Sequence, residues 1–389
     1  MRSLRGNDQS VVRALNRNAL LNMLLHEAPL SRVQLRERSG LSGAAVTAVI
    51  AELIEDGLVE EQATGPSTGG RPPVLLTVNY GARAAVGFKL MERGLDAVLA
   101  NLGGEVGNHV RCDLPDTRPE TVVQTAAEVT ARLLDGSGVP RERLVGLGMG
   151  LPGVIDTESG VCVHSSYLGW HGVPIAELLE RATGVPTVID NDVNAFAAAE
   201  RLFGHGRQAR HLAVVTVGRG IGSGLVANGR TYRGARGGAG ELGHTVSERG
   251  GRACDCGKRG CLEAYASEPA LVARAREAAP DLPLPDIHAV LAQRSDARIG
   301  ALLTDAGERV GVALANLVNL FNPELIVIGG EGVRLGEPYF SALRRTLREN
   351  AFDGLADDLP VVVEPWGDEA WARGAASLAI SRTFDLEVT

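Results

Sequence analysis

The sequence predicts an α/β chain in two parts, a small winged helix-turn-helix module followed by a larger two-lobed α/β body. Three observations carry this. Three short apolar stripes at helical spacing occupy the first 54 residues, separated by a proline and a glycine turn. Residues 58–78 then form two β runs around a Gly/Pro/Ser/Thr tip. From Ala84 onward, one order of short strands and helices occurs twice. The 389 residues suffice for two or three domains, and a composition 44% hydrophobic and 22% charged excludes a disordered, fibrous or coiled-coil chain.

The first stripe (Val12, Leu15, Ala19, Leu20, Met23, Leu24) ends before Pro29. Ser31 can cap a second short helix through Val33, Leu35 and Arg36, which Gly40 ends in a left-handed turn. Ser42 can cap a third helix, whose buried stripe is Val46, Val49, Ile50, Leu53 and Ile54. Its leading face is small and polar, with Ser42, Gly43, Ala44, Ala45, Thr47 and Ala48, and such a face can approach a DNA major groove closely. Leu58-Val59-Glu60 and Val74 to Val78 read as the hairpin wing, and Arg71 at its tip is the expected phosphate or minor-groove contact. A three-helix packing module that never meets DNA is the alternative.

Charge divides along the chain. Overall 39 basic residues face 47 acidic ones, a net charge of −8, yet residues 1–50 hold seven Arg and three acids, which makes them +4 and the remainder −12. A basic arm before an acidic body suits phosphate contact, or equally an ordinary solvated helical surface. The apolar run Leu144 to Ile155 is broken by glycines and Pro152 and falls short of the ~18 residues of a membrane span. The first eight residues lack the apolar core of a signal peptide, so a cytoplasmic protein without membrane partners is expected.

In the body, Ala84 to Leu90, Leu95 to Leu102 and Val106 to Asp113 read as a three-strand meander, followed by a helix near Glu120 to Leu134 and a strand at Leu144 to Gly150. The order returns at His211 to Val217, Gly222 to Ala227 and near Thr231. Next come a long helix (Ala301 to Phe321), a strand (Leu325 to Ile328), a helix at Tyr339 to Asn350, a strand at Val361 to Val363 and a helix at Glu369 to Ser381. Two like halves leave a cleft suited to a small ligand.

Two groups of residues carry chemistry. Cys254, Cys256 and Cys261, with His244 upstream, offer the soft four-ligand set of a closed, structural Zn²⁺ site; a redox thiol pair or unligated cysteines are the alternatives. Asn191 and Asp192 stand where a strand passes into a helix and can serve sugar hydroxyls or simply cap that helix. Should the cysteine loop pin His244 and Glu263 together, Asp192, Glu241, His244 and Glu263 converge on one polyol, with one imidazole nitrogen on the metal and the other free for a hydroxyl.

Gly150-Leu151-Pro152-Gly153, Asn191-Asp192, Gly240-Glu241-Leu242-Gly243-His244, Cys254-x-Cys256-Gly257-x-x-Gly260-Cys261-Leu262-Glu263 and Gly329-Gly330 after Asn322-Pro323-Glu324 together resemble the ROK family of repressors and sugar kinases, over essentially the full chain. The resemblance implies an actin/hexokinase-like two-lobed ROK domain at 81–389, with lobes of approximately 81–190 and 191–389, behind a winged helix-turn-helix domain at 1–80. It implies sugar contacts from Asn191, Asp192, Glu241, His244 and Glu263, with Asp192 as catalytic base in kinase members, and zinc held by His244, Cys254, Cys256 and Cys261. Where the family usually has Asn before Leu168-Gly169-Trp170, this chain has Tyr167, which adds Tyr167 to the candidate ligand set.

A sugar kinase needs glycine loops and an acid for ATP phosphates and magnesium. Family kinases carry an Asp-x-Gly-Gly-Thr type loop after the first strand; here Gly87 to Gly94 places Lys89 at the acid and bulky side chains in the turn. The second loop, Val217 to Gly222, has Arg219 where kinases show Thr, free to touch a sugar phosphate or to pair within the protein, with the latter favoured. The expected protein is therefore no enzyme. It is a repressor of carbohydrate-metabolism genes that binds an inverted-repeat operator as a homodimer or homotetramer and responds to a monosaccharide or sugar phosphate. An ATP-dependent sugar kinase is the alternative.

Overall fold

The computed structural model describes residues 8–62, 72–365, 367 and 369–386. The leading module runs α1 (Asp8–Glu27), β1 (Leu30–Ser31), α2 (Arg32–Ser39), α3 (Gly43–Glu55), β2 (Val59–Gln62) and β3 (Leu75–Val78). Both expected caps form. Ser31 and Gln34 make a reciprocal capping box at the start of α2, and Gly40 ends that helix at φ +70°. Ser42 Oγ accepts from Ala45 N at 3.2 Å and so starts α3. The wing is wider than the predicted hairpin: β3 pairs antiparallel with β2 on one edge and with the two-residue β1 on the other. Residues just before the helix-turn-helix thus tie it to the wing.

The body opens with β4 (Ala84–Leu90), β5 (Gly94–Asn101) and β6 (Val106–Asp113), then α4 (Pro119–Ser137) and β7 (Leu144–Leu151). A small antiparallel sheet that periodicity did not suggest follows, with β8 (Val154–Asp156), β9 (Val161–Ser165) and β10 (Trp170–Val173). Next are α5 (Ile175–Thr183), β11 (Thr187–Asn191) and α6 (Asp192–Phe203). The second half runs β12 (Leu212–Val217), β13 (Ile221–Ala227), β14 (Arg230–Thr231), α7 (Glu263–Ala266), α8 (Glu268–Ala278), α9 (Ile287–Ala292), α10 (Ala297–Phe321), β15 (Leu325–Gly329), α11 (Tyr339–Asn350), β16 (Val361–Val363) and α12 (Ala370–Phe384).

The two halves are built to one plan. Five-stranded sheets in the orders β11-β7-β4-β5-β6 and β14-β13-β12-β15-β16 each consist of an antiparallel meander continued by two parallel strands. The first sheet packs its outer face on α4 and α5 around Val86, Phe88, Leu99, Leu133 and Leu179. The second covers itself with α8, α10 and α11 around Val215, Leu303, Val310, Ile328 and Leu343.

Between the sheets lie α6 and α12, packed on each other. Although it follows the second lobe in sequence, α12 rests on β4 and β7 of the first, so that lobe is not made of residues 81–190 alone. Glycine permits this close seating: a Cβ at Gly87 would stand 1.9 Å from the Ala372 carbonyl oxygen, and one at Gly148 would stand 1.7 Å from that of Ala375. Leu20, Leu24, Ile50 and Leu53 of the leading module share one continuous core with Val98 of β5 and Ala376, Ile380 and Phe384 of α12. Among the described residues no helix is long and apolar enough to cross a membrane.

Candidate functional site

The cleft face is built from the ends of strands. β11 delivers Asn191 and Asp192 at the carboxyl edge of the first sheet, the edge where open α/β sheets bind ligands. Asn191 caps α6 by accepting from Val193 N at 2.9 Å, and its amide donates to the Gly153 carbonyl at 3.1 Å. Of the two roles open to Asn191, capping is the one its contacts show. Asp192 Oδ1 accepts from Val193 N at 2.9 Å, while Oδ2 is ion-paired with Lys89 Nζ. Both side chains of that pair are only 15% exposed, and the ammonium also lies 4.6 Å from the centroid of the Trp371 ring. Lys89 comes from β4 and Asp192 from the first turn of α6 just beyond β11, so the pair ties the start of α6 to the first sheet, while Phe196 further along α6 packs with the second.

One residue upstream, Asp190 is 1% exposed. Arg233 Nε donates to its Oδ2 at 2.7 Å, and Asn191 N and Asn194 Nδ2 donate to Oδ1 at 2.7 and 3.0 Å. Burial pushes this carboxyl above its ordinary range despite Arg233 and the two other donors. The sequence held no signal for the partnership, because Arg233 lies 43 residues away in an irregular glycine-rich stretch.

The remaining acids gather opposite. Glu263 opens α7, and its Oε2 accepts from Ile221 N at 3.0 Å. Partial desolvation in the cleft, followed by repulsion from Asp192 and Glu263, pushes the Glu241 carboxyl up, against the pull of His244. Glu241 is therefore within electrostatic reach of Asp192, His244 and Glu263. Tyr167 is engaged with Glu92 and Arg219. Its hydroxyl donates to Glu92 Oε2 at 3.4 Å, and its ring lies 5.1 Å from the guanidinium carbon of Arg219. Arg219 in turn pairs with Glu92 at 3.3 Å, so it forms the internal salt bridge that was favoured over a free anion contact.

Behind His244 sits the cysteine loop. His244 Nδ1 is 3.7 Å from Cys254 Sγ, Cys256 Sγ is 3.7 Å from Cys261 Sγ, and all four ligand atoms fall within 4.8 Å of one another. A tetrahedral ion with bonds of about 2.3 Å to sulfur has ligand-to-ligand edges of about 3.8 Å, so the cluster can bind a metal with little adjustment. Of the imidazole nitrogens, Nδ1 faces the Cys254 thiol while Nε2 lies 3.8 Å from Glu241 Oε2. Cys112 and Cys162 are free and take no part.

In the leading module, Ser42, Gly43, Ala44, Thr47 and Ala48 are exposed along α3 and Ala45 is half-buried. Two of these hydroxyls already have work in the helix, since Ser42 accepts from Ala45 N and Thr47 Oγ1 donates to the Gly43 carbonyl at 2.8 Å. Arg71 lies outside the described residues. The basic excess of residues 1–50 does not extend through the module. Residues 51–62 add five acids and no base, and Arg13, Arg17, Arg32 and Arg38 pair with Glu52, Asp56, Glu61 and Glu27. The +4 segment ended at residue 50 for no structural reason, so the shape of the module supports DNA contact better than its charge does.

Comparison with known proteins agrees with this geometry. Residues 91–382 match the model of the ROK family, and residues 14–60 match a winged helix-turn-helix DNA-binding model. The xylose repressor of Caldicellulosiruptor bescii is 29% identical, over 96% of this chain and 97% of its own. Among solved structures, a ROK family transcriptional regulator described as a homologue of the Escherichia coli MLC protein superposes with a TM-score of 0.85 at 26% identity, over 96% of this chain and 97% of its own. A ROK family glucokinase from Streptomyces griseus, solved with glucose and AMPPNP, gives a TM-score of 0.67 at 25% identity, over 76% of this chain and 98% of its own.

Proposed function

This chain belongs to the ROK family, and from that footing we propose that it is a sugar-responsive transcriptional regulator, a repressor of carbohydrate-metabolism genes whose operator affinity is set by a sugar in the cleft. The observation that carries this reading is the Lys89–Asp192 pair. A kinase base must be free to take the proton of the sugar hydroxyl while magnesium and phosphate gather at the neighbouring loop. Here a cation sits on that carboxylate, the loop supplying it has Lys89 at the place of the kinase acid, and Glu92 of that loop is engaged by Arg219 and Tyr167. A carboxylate so occupied can still accept a sugar hydroxyl, which suits recognition without transfer.

In this reading Asn191, Asp192, Glu241, His244 and Glu263 bind the sugar, with Tyr167 at the mouth of the cleft. His244, Cys254, Cys256 and Cys261 hold a structural zinc ion. When bound, that ion fixes His244 and draws Glu263 towards Glu241, so its contribution is orientation. Residues 1–80 read an inverted-repeat operator in a homodimer or homotetramer, with Ser42, Gly43, Ala44, Ala45, Thr47 and Ala48 facing the major groove and Arg71 as the phosphate or minor-groove contact, and residues 81–389 read the sugar. Sugar that favours one arrangement of the lobes changes the placement of the paired winged modules, and linkage converts this into a change in DNA affinity.

The test pairs two measurements on the full chain, across pentoses and hexoses beginning with xylose and glucose. Asp192→Ala should abolish sugar-dependent release of operator DNA and leave sugar-free binding intact. ATP turnover should stay at background with every sugar. Sugar-dependent turnover would revive the rival reading, an ATP-dependent sugar kinase, for which the retained Asp192 is the one supporting observation.

A further inference from the structure

We infer that α6 carries the state of the cleft to the DNA-binding helices, and that Arg207 is the positioning residue through which it grips α1. This rests on the regulator reading above and adds the route by which that regulation travels.

At 1.5 Å per residue, the twelve residues of α6 make a rod about 18 Å long. Its first residue is Asp192, in the cleft. Its far end turns sharply through Gly204 into a 3-10 turn, His205–Gln208, from which Arg207 reaches the leading module. Arg207 Nη2 donates to the backbone carbonyls of Leu25 at 3.0 Å and His26 at 3.1 Å. Both belong to the last turn of α1, where carbonyls lack partners within their own helix. Ala28 N already satisfies the preceding one, Leu24, at 3.0 Å. Arg207 therefore caps the carboxyl end of α1, and its cation sits at the end of the helix dipole that favours it.

The corner bearing Arg207 is fastened to α6 rather than loosely attached. Glu200, 1% exposed within α6, accepts from His205 N at 2.9 Å through its carboxylate and from Gly204 N at 3.1 Å through its backbone carbonyl. Arg201 of α6 donates to the Arg207 carbonyl at 3.1 Å. Burial, with the Arg201 and Arg207 cations behind it, lowers the His26 imidazole to about 4, which marks how closely α1 lies against this corner. A shift of α6 along its axis is thus delivered to the end of α1.

From there the connection reaches the helix expected to enter DNA. Arg13 and Arg17 of α1 pair with Glu52 and Asp56 at the carboxyl end of α3, and both helices share the core around Leu20, Leu24, Ile50 and Leu53. At the cleft end, the Asp192 side chain is divided between Lys89 of the first lobe and its own helix cap. A sugar hydroxyl donating to Asp192 changes how α6 is held to the first lobe. Helix shifts of 1–2 Å are a common carrier of such coupling.

The test uses the full-length chain and a sugar from the pentose and hexose panel that binds by calorimetry. Hydrogen–deuterium exchange should show a sugar-dependent change at backbone amides 24–31 in the unaltered protein, alongside a five- to 150-fold drop in operator affinity, the usual range of allosteric coupling factors. Arg207→Gln should keep sugar Kd within about twofold and reduce both sugar-dependent changes to near one, and Arg207→Lys should restore part of each. A purely structural cap would lower stability and leave the sugar response in place. Operator release with amides 24–31 unmoved, or an undiminished response in Arg207→Gln, overturns the inference while leaving the regulator reading intact. Sugar binding without any change in operator affinity in the unaltered chain sinks both.

Discussion

Arg233→Met tests how the buried Asp190 is held. The substitution keeps most of the side-chain length and removes the cation that donates to Asp190 at 2.7 Å. Asp190 is 1% exposed, whereas the Arg233 side chain is 25% exposed. Breaking a buried pair by deleting one partner costs about 3–5 kcal/mol, and the partial exposure of Arg233 argues for about 3. At about 2 °C per kcal/mol, this is a fall in Tm of about 6 °C. The loss should depend on pH, with a sign that follows from burial. The Asp190 carboxyl already lies above its unfolded value, and losing Arg233 raises it further. Over the interval between the two values the folded state holds a proton that the unfolded state does not, so stability falls as pH rises. The deficit of Arg233→Met against the unaltered chain should therefore shrink from pH 8 towards pH 5, and Asp190→Asn in the same chain should recover much of it. Thermal unfolding of the three proteins at several pH values is the assay. An unchanged Tm, or a deficit flat across that range, would refute the argument that an uncompensated buried charge is responsible.

Further outcomes follow from other contacts. Ser42→Ala should cost about 1 kcal/mol through loss of the α3 cap and should weaken operator binding in a titration of the full chain. Metal analysis should find one zinc per chain, lost in Cys256→Ser, and calorimetry should find weaker sugar binding there because His244 and Glu263 are no longer held; unaltered sugar affinity without the metal would break that link. Gly148→Ala should lower stability by more than the about 1–3 kcal/mol of ordinary overpacking, since the new methyl meets backbone at 1.7 Å, and a neutral result by thermal unfolding would mean that α12 can lift.

What the sequence revealed and what it hid divide along the range of the interactions. Ser31, Gly40 and Ser42 act on their own neighbours, and so the helix boundaries of the leading module were legible. The meander strands and α10 and α11 were legible from period alone, and the duplicated order predicted the two matching sheets. His244 and the cysteines lie within one 18-residue stretch, which made their convergence readable from spacing. The pairs that define the cleft are distant instead. Lys89 stood out as the wrong residue for a kinase loop, but its contact with Asp192 depends on how β4 meets α6. Arg233 and Arg207 carried no local signal at all, because each serves a residue far away in the chain. The sheet β8-β9-β10 was missed because its strands are three to five residues long, too short for alternation to show.

The core shared by the leading module and α12 bears on how such a protein is made. During synthesis, residues 12–78 emerge early, yet the apolar face behind Leu20 and Leu53 stays open until residues 370–386 have been translated and folded back. A nascent or prematurely terminated chain accordingly holds an unfinished DNA reader, and the helix that completes it also rests on the sheet bearing the sugar cleft. For anyone building chimeras, the exchangeable unit is likewise both ends of the polypeptide taken together, since a graft of residues 1–80 alone would transplant half a core.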